Sequence, residues 1–165
     1  MKAMVIYDSQ YGNTAQIAQA IADGLRGTAG DALAVDLRKV GDVHPDQLAG
    51  LDLLLAGAPT QGSRPSPGMH DFLNRIPKDA LAGVKVAAFD TRTDMDKLAG
   101  SLRLVGKIFD HFGYAAPRIS SSLEKKGGQA VKPPEGFFVK GTEGPLEEGE
   151  LERAADWARQ IVVKP

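Results

Sequence analysis

A chain of 165 residues, 42% apolar and 25% charged, can bury a substantial core and has the composition of an ordinary globular domain. The formal net charge of −1 gives no electrostatic footprint for nucleic acid, and the lack of cysteine removes disulfides, thiolate metal sites, iron–sulfur clusters and cysteine nucleophiles together. The N-terminal apolar run is too short for a signal peptide and no stretch reaches membrane-spanning length, so the expectation is a cytoplasmic protein without nucleic acid or membrane as partner.

In chain order, "KAMVIY" predicts a buried strand broken by Asp8 and Ser9. From Thr14 the period changes: Ile17, Ala20, Ile21, Gly24 and Leu25 share one helical face, and "GTAGD" ends that helix. "ALAVDLRKV" alternates as a second strand, and "LDLLLAGAPT" is apolar on consecutive positions, as a strand covered on both faces is. The Pro- and Gly-rich loop "PTQGSRPSPG" leads into a helical "MHDFLNRI". "VKVAAF" is the fourth strand, ending at "DTRTD"; the next helix carries Leu98, Leu102, Val105, Phe109 and Phe112 on its buried side. Pro117 to Ser122 is expected as the fifth strand, interrupted by "LEKKGGQAVKPPEG" and resuming at "FFVKG"; after the "TEGP" turn, Leu146 to Val163 forms the last helix.

Strands alternating with helices predict an α/β fold: one domain over residues 1–165, with a doubly wound, five-stranded parallel sheet between two helical layers. Ligands of such sheets bind beyond the carboxyl ends of the strands, where the strand order reverses. The first strand–helix loop there reads Ser9-Gln10-Tyr11-Gly12-Asn13-Thr14. Gly12 permits a tight turn, the hydroxyls and the amide are short donors, and the following helix offers unpaired N–H groups and about half a positive charge. Together these describe an anion site, the plain alternative being a turn and helix cap. The loop lacks the lysine of a P-loop and the three glycines of a dinucleotide fingerprint, and Ala58-Pro59-Thr60 replaces the aspartate that a phosphorylated receiver needs after its third strand.

What remains is a small phosphomonoester held by neutral donors. "SQYGNT" resembles the phosphate loop of the flavodoxin family, Ser/Thr-x-Thr/Tyr-Gly-Asn/x-Thr, and the resemblance extends through the alternation of elements over nearly the whole chain. It implies the strand order 2-1-3-4-5, flavin mononucleotide (FMN) as cofactor, and Ser9, Gln10, Tyr11, Gly12, Asn13 and Thr14 as its phosphate-binding residues. It also implies that the loops after the third and fourth strands flank the flavin ring. Pro59, Thr60, Gln61, Gly62 and Ser63 belong to the first of them and Thr91, Arg92 and Thr93 to the second, with Gly62 the candidate for a backbone change that follows the redox state.

The chain departs from the family in having neither Trp nor Tyr in these two loops; Trp157 falls on the last helix and reads as core, and Tyr11 is the one aromatic close to the site in sequence. Arg64 and Arg92 read either as solvated guanidiniums or as cations that raise the potential of the ring. His44, His70 and His111 show no metal-ligand spacing, and the acidic run "EEGELE" suits a helix N-terminus. The segment from Leu123 to Gly136 is similar to the insertion that splits the fifth strand in long-chain members, and reads as a solvated loop or a docking element for a redox partner. The function implied is an FMN electron carrier serving protein redox partners. A nicotinamide-dependent quinone or flavin reductase of the same fold, and a flavin-free interaction module, are the alternatives.

Overall fold

Ala3 to Ile6 form a run of apolar residues with no polar face to offer solvent, and the strand they build lies inside the sheet, covered on both sides. The computed structural model describes residues 1–95 and 113–162. Its elements run β1 (Lys2–Tyr7), α1 (Asn13–Ala29), β2 (Ala34–Lys39), β3 (Leu53–Gln61), β4 (Arg64–Pro65), α2 (Pro67–Arg75), β5 (Lys85–Thr93), α3 (Ala115–Lys125), β6 (Gln129–Ala130), β7 (Glu135–Val139) and α4 (Glu150–Val162). The parallel order is β2-β1-β3-β5, followed by a fifth position that β6 and β7 share. β6 pairs with Lys85 and Val86, and β7 pairs with Phe89 to Thr93. Between them lie Pro133 and Pro134, which have no N–H to donate to the ladder. The doubly wound sheet and its order are thus as expected, with the fifth strand in two pieces.

Side chains that alternate along the strands feed two cores. On one face α1 (Ile17, Ile21, Leu25) and α4 (Ala154, Trp157, Ala158) pack over Val5, Leu55, Phe89 and Phe137. Gly24 lets these helices meet backbone to backbone, because a β-carbon there would stand 2.5 Å from the carbonyl oxygen of Ala155. Trp157 is core, packed edge-on against Phe89 and Phe137 at centroid distances of 6.4 and 6.1 Å. On the other face α2 (Met69, Phe72, Leu73) and α3 (Ala115, Ile119, Leu123) cover Ile6, Leu54, Val86 and Ala88.

Three expectations need correction or a limit. Pro117 to Ser122 is helical, within α3, because Ala115, Ala116, Ile119, Ser120 and Leu123 share one buried face at helical spacing and Pro117 sits in the first turn, where its missing N–H costs nothing. The last helix starts at Glu150, not Leu146, since Leu146 still bridges antiparallel to Val139. The helix expected to carry Leu98, Leu102, Val105, Phe109 and Phe112 lies outside the described residues, as does His111. No described helix is long and apolar enough to cross a membrane.

Candidate functional site

The carboxyl ends of β1, β3, β5 and β7 open into one cleft, lined by Ser9, Gln10, Tyr11, Asn13, Thr14, Pro59, Thr60, Gln61, Thr91, Arg92, Thr93, Val139 and Thr142. All of these but Val139 and Thr142 are among the residues expected from the sequence. Gly12, Gly62 and Ser63, also expected, do not line it.

The first loop is built around one hydroxyl. Ser9 Oγ accepts hydrogen bonds from the amides of Gly12 (3.1 Å) and Ala15 (3.3 Å), holding the loop against the helix start. Gly12 sits at φ +90°, left-handed backbone that a side chain resists, and its carbonyl accepts from Gln16 at 3.1 Å. With Gly12 and Ala15 satisfied, the amides of Asn13 and Thr14 are the first-turn donors that no described residue caps. Asp8 stands behind the loop: its carboxylate accepts from the amide of Ser9 (3.0 Å) and the hydroxyl of Ser66 (2.6 Å), joining the first loop to the start of α2.

Thr14, on α1, meets Thr91, on β5, hydroxyl to hydroxyl at 2.8 Å, and both are buried. One donates to the other, so the pair keeps one hydroxyl proton to offer into the cleft. Gln10 and Gln61 close the opposite rim, Gln61 Nε2 donating to Gln10 Oε1 at 2.6 Å, with Tyr11 alongside and 47% exposed. Gly62 (φ +54°) and Ser63 (φ +65°) form the two-residue turn of the β3–β4 hairpin, the pair of positive φ angles that such a turn demands.

The main surprise lies beneath Arg92. Its guanidinium is neither solvated nor free to act as a lone cation: it grips Asp90 through Nε and Nη2, both at 2.7 Å. One face of it lies 3.6 Å from the Tyr114 ring, and a β-carbon on Gly136 would collide with it on β7. Asp90 also accepts from the amide of Ala116 (2.8 Å) and the hydroxyl of Thr60, and Thr60 Oγ1 accepts from the amide of Ala115 (2.9 Å). Strand side chains therefore cap α3, and the hydroxyl proton of Thr60 is already committed. Burial pushes the Asp90 carboxyl above the ordinary aspartate range; Arg92, the Ala116 amide and Thr60 pull it back down. Because the charge of Arg92 is compensated at contact, the expected effect of a lone cation on a bound ring does not apply. Arg64, on β4, is exposed. His44 and His70 are exposed, and among the described residues no His/Asp/Glu cluster could hold a metal ion.

The signal for Asp90 was the spacing Asp90-x-Arg92, which puts acid and base on one face of a strand. For Val139 and Thr142 it was that the fifth strand, like the others, ends at the ligand edge.

A flavodoxin from the domain Archaea shares the fold with a TM-score of 0.74 at 22% identity, covering 98% of this chain and 96% of that one. Oxidised flavodoxin 1 from Bacillus cereus does so with a TM-score of 0.75 at 19% identity, over 98% and 97%. Among curated sequences, an NAD(P)H dehydrogenase (quinone) of Acidithiobacillus ferrooxidans is 30% identical over 94 residues, 45% of this chain and 46% of that protein. One from Chromohalobacter salexigens is 44% identical over 48 residues, 29% and 23%. The matches thus span less than half the length of these curated relatives. The model of the family described as "Flavodoxin" matches residues 5–157. The chain belongs to the flavodoxin family.

Proposed function

We propose that the chain is an FMN-binding electron carrier that exchanges electrons with protein partners in the cytoplasm. The observation that carries this reading is the pair of amides at Asn13 and Thr14 that no described residue caps, beside a cleft whose one described lining cation, Arg92, is paired with Asp90. A phosphomonoester suits that donor set: the helix start contributes about half a positive charge and N–H donors. Ser9 Oγ already accepts two N–H bonds, which leaves its own proton to donate outward, and the Thr14–Thr91 pair has one more.

Ser9, Gln10, Tyr11, Asn13 and Thr14 would hold the phosphoryl end, and Pro59, Thr60, Gln61, Thr91, Arg92 and Thr93 the ring end, with Gly62 and Ser63 at the hairpin turn beside it. The bound FMN would supply the redox chemistry, its ring taking up and releasing electrons. The polypeptide's part is to bind, to orient and to fix the local field; in that field Arg92 enters as half of an ion pair. Thr60 is held rigid by Asp90 and Ala115, which suits a loop that positions a ring.

An absorbance spectrum of the protein purified with or reconstituted with FMN, oxidised and then stepwise reduced, tests the proposal. Flavin bands that bleach on reduction support it. A colourless protein that leaves added FMN fluorescence unquenched refutes it and favours an interaction module. The matches to quinone dehydrogenases support a second reading, a nicotinamide-dependent quinone reductase. Rapid steady-state turnover of NAD(P)H with a quinone by this chain alone would decide for that enzyme.

A further inference from the structure

Arg92 lines the cleft with a side chain that is only 10% exposed, and four elements fix its guanidinium there. On its own strand, β5, Asp90 takes Nε and Nη2; Asp90 is held in turn by the Ala116 amide of α3 and the Thr60 hydroxyl of β3. Arg92 Cζ stands 3.6 Å from the centre of the Tyr114 ring, and Gly136 of β7 leaves the guanidinium the space that a β-carbon would take. Nη1 makes no hydrogen bond to any described residue, so its N–H donors are left over on a residue of the cleft wall. The two oxygens of Asp90 meanwhile receive four donors, an arrangement that suits an ionised carboxylate, which has only acceptor sites. The pair thus carries no net charge yet keeps a donor free. Asp90 itself reaches neither solvent nor the cleft, so whatever it does for a ligand it does through Arg92.

We propose that Asp90 is a positioning residue for the redox function: through Arg92 it presents a fixed N–H donor to the ring end of the cleft, and it offsets the guanidinium charge so that the ring's potential stays low. The inference rests on the reading of the cleft as an FMN site, in which Arg92 stands at the ring end. A flavin that takes up two electrons and one proton gains one negative charge on its ring. A lone guanidinium beside that ring favours the reduced anion over the neutral oxidised form. One already paired with a carboxylate at 2.7 Å does so far less, because the two fields cancel at a distance.

The test is redox titration of the full chain loaded with FMN and, in parallel, with riboflavin. Dithionite supplies the electrons, solvent the proton, and a redox dye in equilibrium reads the midpoint. Asp90→Asn should bind the reduced flavin about tenfold more tightly relative to the oxidised one, a rise of about 30 mV for a two-electron couple. The shift should be the same with riboflavin, since it acts on the ring. The double variant Asp90→Asn/Arg92→Met, free of both charges, should return to within about threefold of the wild-type ratio. It leaves no charge buried alone, so it decides the matter even where the single variant does not fold. An Asp90 that only braces the fold would change the affinity for both redox forms alike and leave the midpoint unmoved. An unmoved midpoint in Asp90→Asn, or a double variant whose midpoint drops by about 30 mV or more, overturns the inference while leaving the FMN site standing. A wild-type protein that binds neither flavin overturns that site and this inference with it.

Discussion

Arg92 donates two hydrogen bonds of 2.7 Å to the carboxylate of Asp90, two residues earlier on the same strand, and no part of Asp90 reaches solvent. Desolvating two charges is costly, and geometry offsets part of that cost: a bidentate pair, hydrogen bonds from the Ala116 amide at the start of α3 and from the Thr60 hydroxyl on β3, and the Tyr114 ring over the guanidinium.

Breaking the pair from one side should therefore be expensive. Arg92→Met leaves Asp90 buried and uncompensated, an expected loss of about 3–5 kcal/mol in urea unfolding, and Arg92→Lys should recover only part of it because an ammonium cannot reproduce the planar fork. Gly136→Ala should shift the same balance by displacing the guanidinium. An Arg92→Met protein as stable as wild type would show that the pair contributes nothing.

The same carboxylate gives stability a pH dependence of definite sign. The folded Asp90 holds its proton to higher pH than the unfolded residue, since desolvation outweighs its partners. Folding takes up a proton in that window. The contribution is fully present below the ordinary aspartate value and is lost as pH rises through the folded value. The difference in urea midpoint, wild type minus Asp90→Asn, should fall as pH rises across this range, the other carboxylates contributing equally to both. A carboxyl resonance for Asp90 that titrates below the ordinary range would reverse the sign and contradict the prediction.

How much of this was legible beforehand depended on whether the signal was local. The loop from Ser9 to Thr14 stood out because the residue period changes there from strand to helix, and the structure puts five of its six residues on the cleft. The helix at Ala115–Lys125 looks like a strand in the sequence because "PRISSS" carries proline, a β-branched residue and serines, all weak helix formers; its buried face appears only when Ala115, Ala116 and Leu123 are read together. The commitment of Thr60 to Asp90 and the closing of the cleft by Thr142 were not legible, because each joins residues far apart in the chain through strand pairing.

Gly12 tests backbone conformation separately from space. At φ +90° no atom of the described residues beyond its chain neighbours and the adjoining helix backbone lies within 4 Å of where a β-carbon would be, so Gly12→Val meets strain and not collision. A stability cost of about 1–2 kcal/mol is expected from the left-handed backbone alone. FMN affinity should fall beyond that, since the distorted turn shifts the Asn13 and Thr14 amides and the valine intrudes on the phosphoryl group. Titration showing unchanged FMN affinity in a folded Gly12→Val protein would remove this turn from the site.

Ser9 does two jobs with one oxygen, and its variants separate them. As an acceptor it caps the amides of Gly12 and Ala15, so Ser9→Ala should cost about 1 kcal/mol of stability, the usual loss at a helix cap. As a donor its remaining proton would serve the phosphoryl group of the proposed FMN, so the same variant should bind FMN about tenfold more weakly while riboflavin affinity changes little. Ser9→Thr keeps both functions and should retain most of each. Parallel losses for FMN and riboflavin in Ser9→Ala would mean that the hydroxyl only shapes the loop, and the phosphoryl group would have to find its donors among the amides of Asn13 and Thr14 alone.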